Sequence, residues 1–323
     1  MPGVIDYSFD PTVAPLGLSI RLETLALCAA IFLVLVLVAL RAGRAPASDE
    51  TIDERSAGRL RRDDLILIGF GVVPGAVVGG RLDYGLLHLD YYLANPGALT
   101  DPSQGGLGLT LAVVLGIATG LAVARLLAAP IDRWLHVAGL PVLVGLGLGK
   151  LAMLLGGAGQ GSYSDASWAV SFSGPGPWGS MNPSFPALPS QALEGGLVLT
   201  AAFGAVLVPL LLRLRLRPWH RIVRPGWSPP HEWWILTGSR GFATLLSLWI
   251  AARFVAAFTW RDARVLGPLN AEQILLVVVL MVVLIAPSVP AGLTAVRRRW
   301  SARRAGRAAA KARRAELEAK VAS

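Results

Sequence analysis

Five ionisable side chains stand inside or at the edge of long apolar stretches: Glu23, Arg81, Lys150, Glu194 and Arg253. Charge in hydrocarbon is costly, so residues of this kind face a polar cavity, pair with one another, or act on a ligand. Three cations and two carboxylates converging on one cavity could hold an anionic group such as a phosphate, stabilise a departing oxyanion and offer a proton acceptor. Arg253 and Lys150 lie too far from a span's end for routine snorkelling, which favours a chemical role for both. Glu23 and Glu194 fit a helix-end position equally well, and His88 and His231 read as interfacial residues. The run Gly145-Leu146-Gly147-Leu148-Gly149-Lys150, with Gly156, Gly157 and Gly161 after it, either lets helices approach closely or exposes backbone to a ligand; the first is the commoner use in membranes. Its spacing does not make a phosphate-binding P-loop. A single cysteine, Cys28, excludes an intramolecular disulfide and any multi-cysteine metal motif, so neither a metal nor a cofactor is expected.

The elements that must carry these residues follow from composition. Of 323 residues, 54% are hydrophobic and 15% charged, against about a quarter charged in ordinary globular chains. Mean hydropathy is +0.57. The stretches Leu25–Leu40, Leu65–Val78, Gly106–Ala124, Trp134–Leu155, Gly195–Leu212, Phe242–Phe258 and Ile274–Ala286 are nearly free of ionised side chains. They predict an all-α integral membrane protein of about seven transmembrane helices. Met1–Ser19 lacks a basic region ahead of an apolar core, so the first span is expected to direct insertion itself.

The net charge of +10 raises the question of nucleic acid, but the arginines fall between spans rather than on one soluble face. Arg41, Arg44, Arg55, Arg59, Arg61 and Arg62 fill the first loop, Arg213, Arg215, Arg217, Arg221 and Arg224 the fifth, and a basic tail follows the last span. Gly156–Leu193 carries no lysine or arginine. Basic loops stay cytoplasmic, which predicts an amino terminus outside and a carboxyl terminus inside, with no nucleic-acid partner. The expected organisation is an outer amino-terminal segment over 1–20, a membrane domain over 21–296, and a basic helical tail over 297–323 lying near the anionic membrane surface. Residues 156–193, rich in Gly, Ser and Pro with interspersed aromatics, are expected to pack on the outer interface as a small cap. A second outer loop is expected over Leu82–Gln104, and no internal repeat is evident.

Taken in order, several segments resemble the bacterial prolipoprotein diacylglyceryl transferases. Gly79-Gly80-Arg81-Leu82-Asp83-Tyr84 is similar to the family's GGR-x-x-Y, and Gln104-Gly105-Gly106 falls where the family has His-Gly-Gly. Gly147 to Gly161 resembles the signature stretch, and Pro189-Ser190-Gln191-Ala192-Leu193-Glu194 resembles the most recognisable piece, PSQ-x-YE. Arg253 to Phe258 resembles R-x-x-x-EF, and Glu272-Gln273-Ile274-Leu275 the GQIL that opens the last span. Family histidines are replaced by Gln104 and Leu188, the signature arginine by Lys150, its asparagines by Met153 and Gly156, and two glutamates by Ala158 and Ala257.

The resemblance implies a seven-span enzyme of the bacterial cytoplasmic membrane. Such an enzyme moves a diacylglyceryl group from phosphatidylglycerol to the lipobox cysteine of a prolipoprotein, recognised through its signal peptide. It further implies Arg253, Lys150, Glu194 and Glu23 as the catalytic set, and Arg81, Gln104, Gly161, Ser190 and Gln191 as phospholipid-binding. Two other readings stay open: a non-catalytic relative that binds anionic phospholipid, and a small-solute transporter, which the lack of paired half-helices disfavours.

Overall fold

The computed structural model describes residues 5–8, 12–14, 17, 19–44, 60–101, 106–156, 160–173, 185–223 and 238–285. Gln104, most of the first basic loop and the tail 297–323 lie outside them. Eight helices occupy the described chain: α1 (Leu22–Arg44), α2 (Arg62–Leu87), α3 (Leu89–Ala94), α4 (Thr110–Leu126), α5 (Ile131–Ala152), α6 (Ser190–Val223), α7 (Gly238–Ala256) and α8 (Ala271–Ile285). Five of them, α1, α2, α5, α6 and α7, are long and apolar enough to cross a membrane. The 17 residues of α4 and 15 of α8 are apolar but shorter, roughly 26 and 22 Å against a hydrocarbon core of about 30 Å. Phe32, Phe70, Phe203, Val278 and Met281 are exposed on the flanks of these helices. On a soluble protein such a girdle would drive aggregation, whereas in lipid it is the solvent-facing surface. The chain is therefore a multi-pass membrane protein.

Its interior holds two buried clusters, the smaller formed by Val38 and Ala42 of α1 with Leu60 and with Trp134 and Val137 of α5. Leu143 of α5, Val198 of α6, Trp249 and Ile250 of α7 and Leu276 of α8 form one buried core. Burial from lipid brings little hydrophobic gain, so these helices are held by dispersion and by close backbone approach. Glycine supplies the approach most clearly between α2 and α4. Gly71, Gly75 and Gly79 recur every fourth residue along one face of α2. A Cβ at these positions would collide with Val123, Thr119 and the Leu111 carbonyl of α4. Gly116 and Gly120 of α4 in turn face Val72. This pair touches α1 and α5 only sparsely, which leaves a seam along the bundle.

The ends of the helices are ordered by polar contacts. Asn270 caps α8 by accepting the Gln273 N–H at 2.8 Å, while the Gln273 side chain accepts the Asn270 N–H at 3.0 Å. The pair forms a reciprocal capping box. Six short strands flank this end. β1 (Ile5–Ser8) pairs in parallel with β4 (Val170–Ser173), whereas β2 (Thr12–Val13) pairs antiparallel with β3 (Ile20–Arg21) and β5 (Arg264–Leu266) antiparallel with β6 (Leu269–Asn270). Val170 at the start of β4 is buried, as are Ala169 beside it and Ala187, whose backbone pairs with Val170. The 156–193 segment is thus layered where described, and the amino-terminal segment adds a strand to it.

Two boundaries differ from the sequence expectation. The second loop starts later, because Tyr84, Leu86 and Leu87 extend the helical face of α2 beyond Arg81, and α3 then occupies much of the remainder. The arginine-rich stretch after the fifth apolar run continues α6 as helix to Val223, as the helix propensities of its Leu and Arg residues favour.

Candidate active site

Lys150 rides the last turn of α5 and Glu194 the start of α6, and glycine brings the two helices together there. A Cβ on Gly147 would press on Leu199, and one on Gly195 would press on Leu151 and the Gly147 carbonyl. This approach sets Lys150 Nζ 3.0 Å from Glu194 Oε2. Arg253, in the last turn of α7, donates from Nη1 to Glu194 Oε1 at 2.6 Å. Its Nη2 and Nε both lie 2.9 Å from Glu272 Oε1, at the start of α8. Nε also reaches Thr110 Oγ1 at 3.2 Å, and the Thr110 hydroxyl donates to Glu272 Oε1 at 2.5 Å. The indole of Trp260 covers the cations, its ring centre 4.6 Å from the Arg253 guanidinium carbon and 5.6 Å from Lys150 Nζ. The Arg253 side chain is 5% exposed and both glutamates are 1% exposed. Two cations balance two carboxylates, and that balance makes burial tolerable in a medium that cannot solvate a lone charge.

Next to the cluster opens the seam between the α2–α4 pair and the rest of the bundle. It is a cleft of about 900 Å³ whose walls are apolar residues of α1, α2, α4 and α5, among them Ile31, Val72 and Val142, with Lys150 and Arg253 also on its lining. Trp134 and Lys150 of α5 both line it, about 24 Å apart at the helical rise. A long apolar groove with two cations on its wall suits a molecule with an anionic head and hydrocarbon tails.

The other expected site residues are placed as follows. Glu23 pairs with Arg21 at 2.7 Å and packs against Gly156, so it contacts neither cation of the cluster through an ion pair. Its position in the first turn of α1, next to an extended Arg21, makes that local pair the shorter route. Arg81 donates to the Asp101 carbonyl at 2.7 Å, in the segment after α3. Gly161 and Ser190 join the segments around 160 and 188 to the turn that follows α7. The Gly161 N–H donates to the Leu188 carbonyl at 2.8 Å, and a Cβ at Gly161 would collide with Ser190. Ser190 Oγ lies 2.6 Å from Thr259 Oγ1. Gln191 is buried beside them. Of the expected set, Lys150, Glu194 and Arg253 come together.

Sequence reasoning missed Glu272, Thr110, Trp260 and Asp83. The signal for Glu272 was an acidic residue at the head of an otherwise apolar span, read only as part of a motif match. At Ala257, where the resembled pattern carries a glutamate, the methyl group is fully buried, and the second carboxylate on Arg253 comes from α8 instead. Asp83 is fully buried at the end of α2, where its Oδ2 accepts the Leu111 N–H at 3.1 Å and so caps α4 from a neighbouring helix.

A multi-pass helical membrane protein with a buried ion cluster beside an apolar cleft is the class that fold and site define. The family model for prolipoprotein diacylglyceryl transferase matches residues 11–287, and the chain belongs to that family. It is similar to proteins named phosphatidylglycerol–prolipoprotein diacylglyceryl transferase. That of Geobacter sulfurreducens is 32% identical over 148 residues, 44% of this chain and 54% of the relative. That of Desulfotalea psychrophila is 33% identical over 153 residues, covering 45% and 49%. That of Methylibium petroleiphilum is 33% identical over 175 residues, covering 52% and 62%. In its first matches the chain spans about half the length of the curated relatives.

Proposed function

We propose that this protein transfers the diacylglyceryl group of phosphatidylglycerol to the cysteine thiol of a prolipoprotein lipobox, releasing glycerol phosphate. The observation that carries the reading is the apolar cleft lined by Arg253 and Lys150. Family membership and the names of the relatives support it. The acyl chains lie along the cleft and the phosphodiester sits against the two cations. The thiolate sulfur attacks the glycerol carbon that bears the phosphate; the S–C bond forms, the C–O bond breaks, and glycerol phosphate leaves with the bonding pair. Arginine offers the leaving phosphate two parallel N–H donors, and Lys150 adds a point charge. A free thiol near pKa 8.5 is mostly protonated at neutral pH, and the adjacent cations favour its ionised form. Both oxygens of Glu194 are engaged by cations, which suits it to anchoring them rather than to accepting the thiol proton.

In this reading all seven long or apolar helices cross the bacterial cytoplasmic membrane. The amino terminus is outside, the cluster faces the outer leaflet, and Gln104, Arg81, Gly161, Ser190 and Gln191 contribute to the lipid-entry side. The test is direct: full-length protein in phosphatidylglycerol nanodiscs is given a lipobox peptide, and peptide mass is followed. A diacylglyceryl adduct is expected. Saturable phosphatidylglycerol binding with no adduct would instead support the second reading, a lipid-binding relative, which the substitutions at Gln104, Leu188 and Ala257 favour.

A further inference from the structure

We propose that Glu272 and Thr110 are positioning residues that orient Arg253 for an incoming phosphodiester. The inference rests on the transfer reading for its substrate. A guanidinium carries five N–H donors in a rigid plane. In the described site the Nε–H is shared between Glu272 Oε1 and Thr110 Oγ1 and one Nη1–H goes to Glu194, while Nη2 lies 2.9 Å from the same Glu272 oxygen as an ion pair. Two N–H groups are thus committed by hydrogen bonds, and donors remain on both terminal nitrogens. A phosphodiester oxygen pair can take one from each without displacing either carboxylate.

The two carboxylates have different duties. Glu194 is shared with Lys150 and ties the cations together. Glu272 takes the side of the guanidinium that Nε presents, and Thr110 locks that carboxylate with its own hydroxyl. The two come from α8 and α4, so the arginine of α7 is clamped from helices on either side. The second oxygen of Glu272 is buried with no hydrogen-bond partner among the described residues. A carboxylate kept there on one oxygen alone is held for the arginine it faces, since an unmatched buried acceptor is otherwise a cost to the fold. Without this clamp the Arg253 plane is free to rotate about Glu194, and the pair of donors is no longer aligned.

The experiment uses the full chain in phosphatidylglycerol nanodiscs with a lipobox peptide. Glu272→Gln, which keeps an oxygen acceptor but loses its charge, is expected to lower kcat/KM for phosphatidylglycerol about ten- to hundredfold, the range set by losing charge on a hydrogen bond. KM for the peptide should be unchanged. Thr110→Val, nearly the same volume, should give a smaller loss, on the order of three- to tenfold. In an Arg253→Lys background, Glu272→Gln should cost less than about threefold more, because residues that act through one another are not additive. A full additional loss in that background, or an equal effect on both substrates, would mean a general structural role and overturn the proposal. If wild-type protein forms no adduct, the transfer reading falls. The lipid arm then decides alone: the rise in melting temperature that phosphatidylglycerol gives detergent-solubilised wild type should at least halve in Glu272→Gln, and an unchanged rise overturns the clamp.

Discussion

Glu194 carries the most weight of any single side chain, since among the described residues it is the anion shared by Lys150 and Arg253. Removing one partner of a buried pair leaves uncompensated charge and costs about 3–5 kcal/mol. Glu194→Ala is therefore expected to lower unfolding stability by that order, and Glu194→Gln by less, as read by thermal unfolding in detergent; a melting temperature unchanged in Glu194→Ala would contradict the shared-anion geometry. At this scale the sequence was partly legible. Arg253, Lys150 and Glu194 stand out because charge inside apolar runs is rare, whatever the fold. Their partners were hidden because pairing depends on which helices touch: Glu272 lies 19 residues from Arg253 and Thr110 lies 143 away. Glu23 and Arg81 carry the same signal in the sequence, yet Glu23 pairs with Arg21 and Arg81 turns toward Asp101. Spacing along a chain says that a charge needs a partner, not which one it finds.

Among elements, the α2–α4 pair is the most specified by glycine. Gly75→Leu should force the helices apart, because its side chain would meet Thr119 and the Leu115 carbonyl. The expected result is loss of folded protein, read as aggregation in gel filtration, whereas Gly204→Leu, where nothing lies within 4 Å, should be tolerated. The cap of α8 makes a second prediction. Asn270→Ala should cost about 1 kcal/mol, and Asn270→Asp should recover most of it; equal stability of all three proteins would refute the capping role. Helix positions could be read from the apolar runs because each run had one dominant character. Helix ends could not: α2 and α6 run past the expected boundaries, since Tyr84, Leu86 and the Leu-Arg stretch after Leu212 keep helical propensity after the apolar run has ended. The small strands β1 and β4 were invisible for another reason, as they pair across more than 150 residues with too few residues each to show alternation.

In the whole molecule, a sparsely packed seam meets a charge cluster within one membrane bundle. Gly69 lines that seam, with Leu35 Cδ2 at 4.0 Å as the nearest atom to an added Cβ. Gly69→Phe should therefore fill the cleft without unfolding the protein and raise KM for phosphatidylglycerol roughly tenfold or more while leaving the peptide KM unchanged. Equal kinetics would place the lipid elsewhere. The proposed orientation, with the arginine-rich loops inside, gives a further prediction: in a Cys28→Ser background, Val265→Cys on the exposed β5 strand is expected to react with a membrane-impermeant thiol reagent added to intact cells, and labelling only after lysis would invert the topology. The central claim is that Arg253 binds and stabilises the departing phosphate. The most direct measurement is the mass of a lipobox peptide incubated with phosphatidylglycerol and either wild type or Arg253→Ala, with both proteins shown to be folded. Wild type should yield the diacylglyceryl adduct and Arg253→Ala a rate at least about a hundredfold lower, the usual cost of losing a charge-stabilising donor. Adduct formed by Arg253→Ala at the wild-type rate would contradict the account.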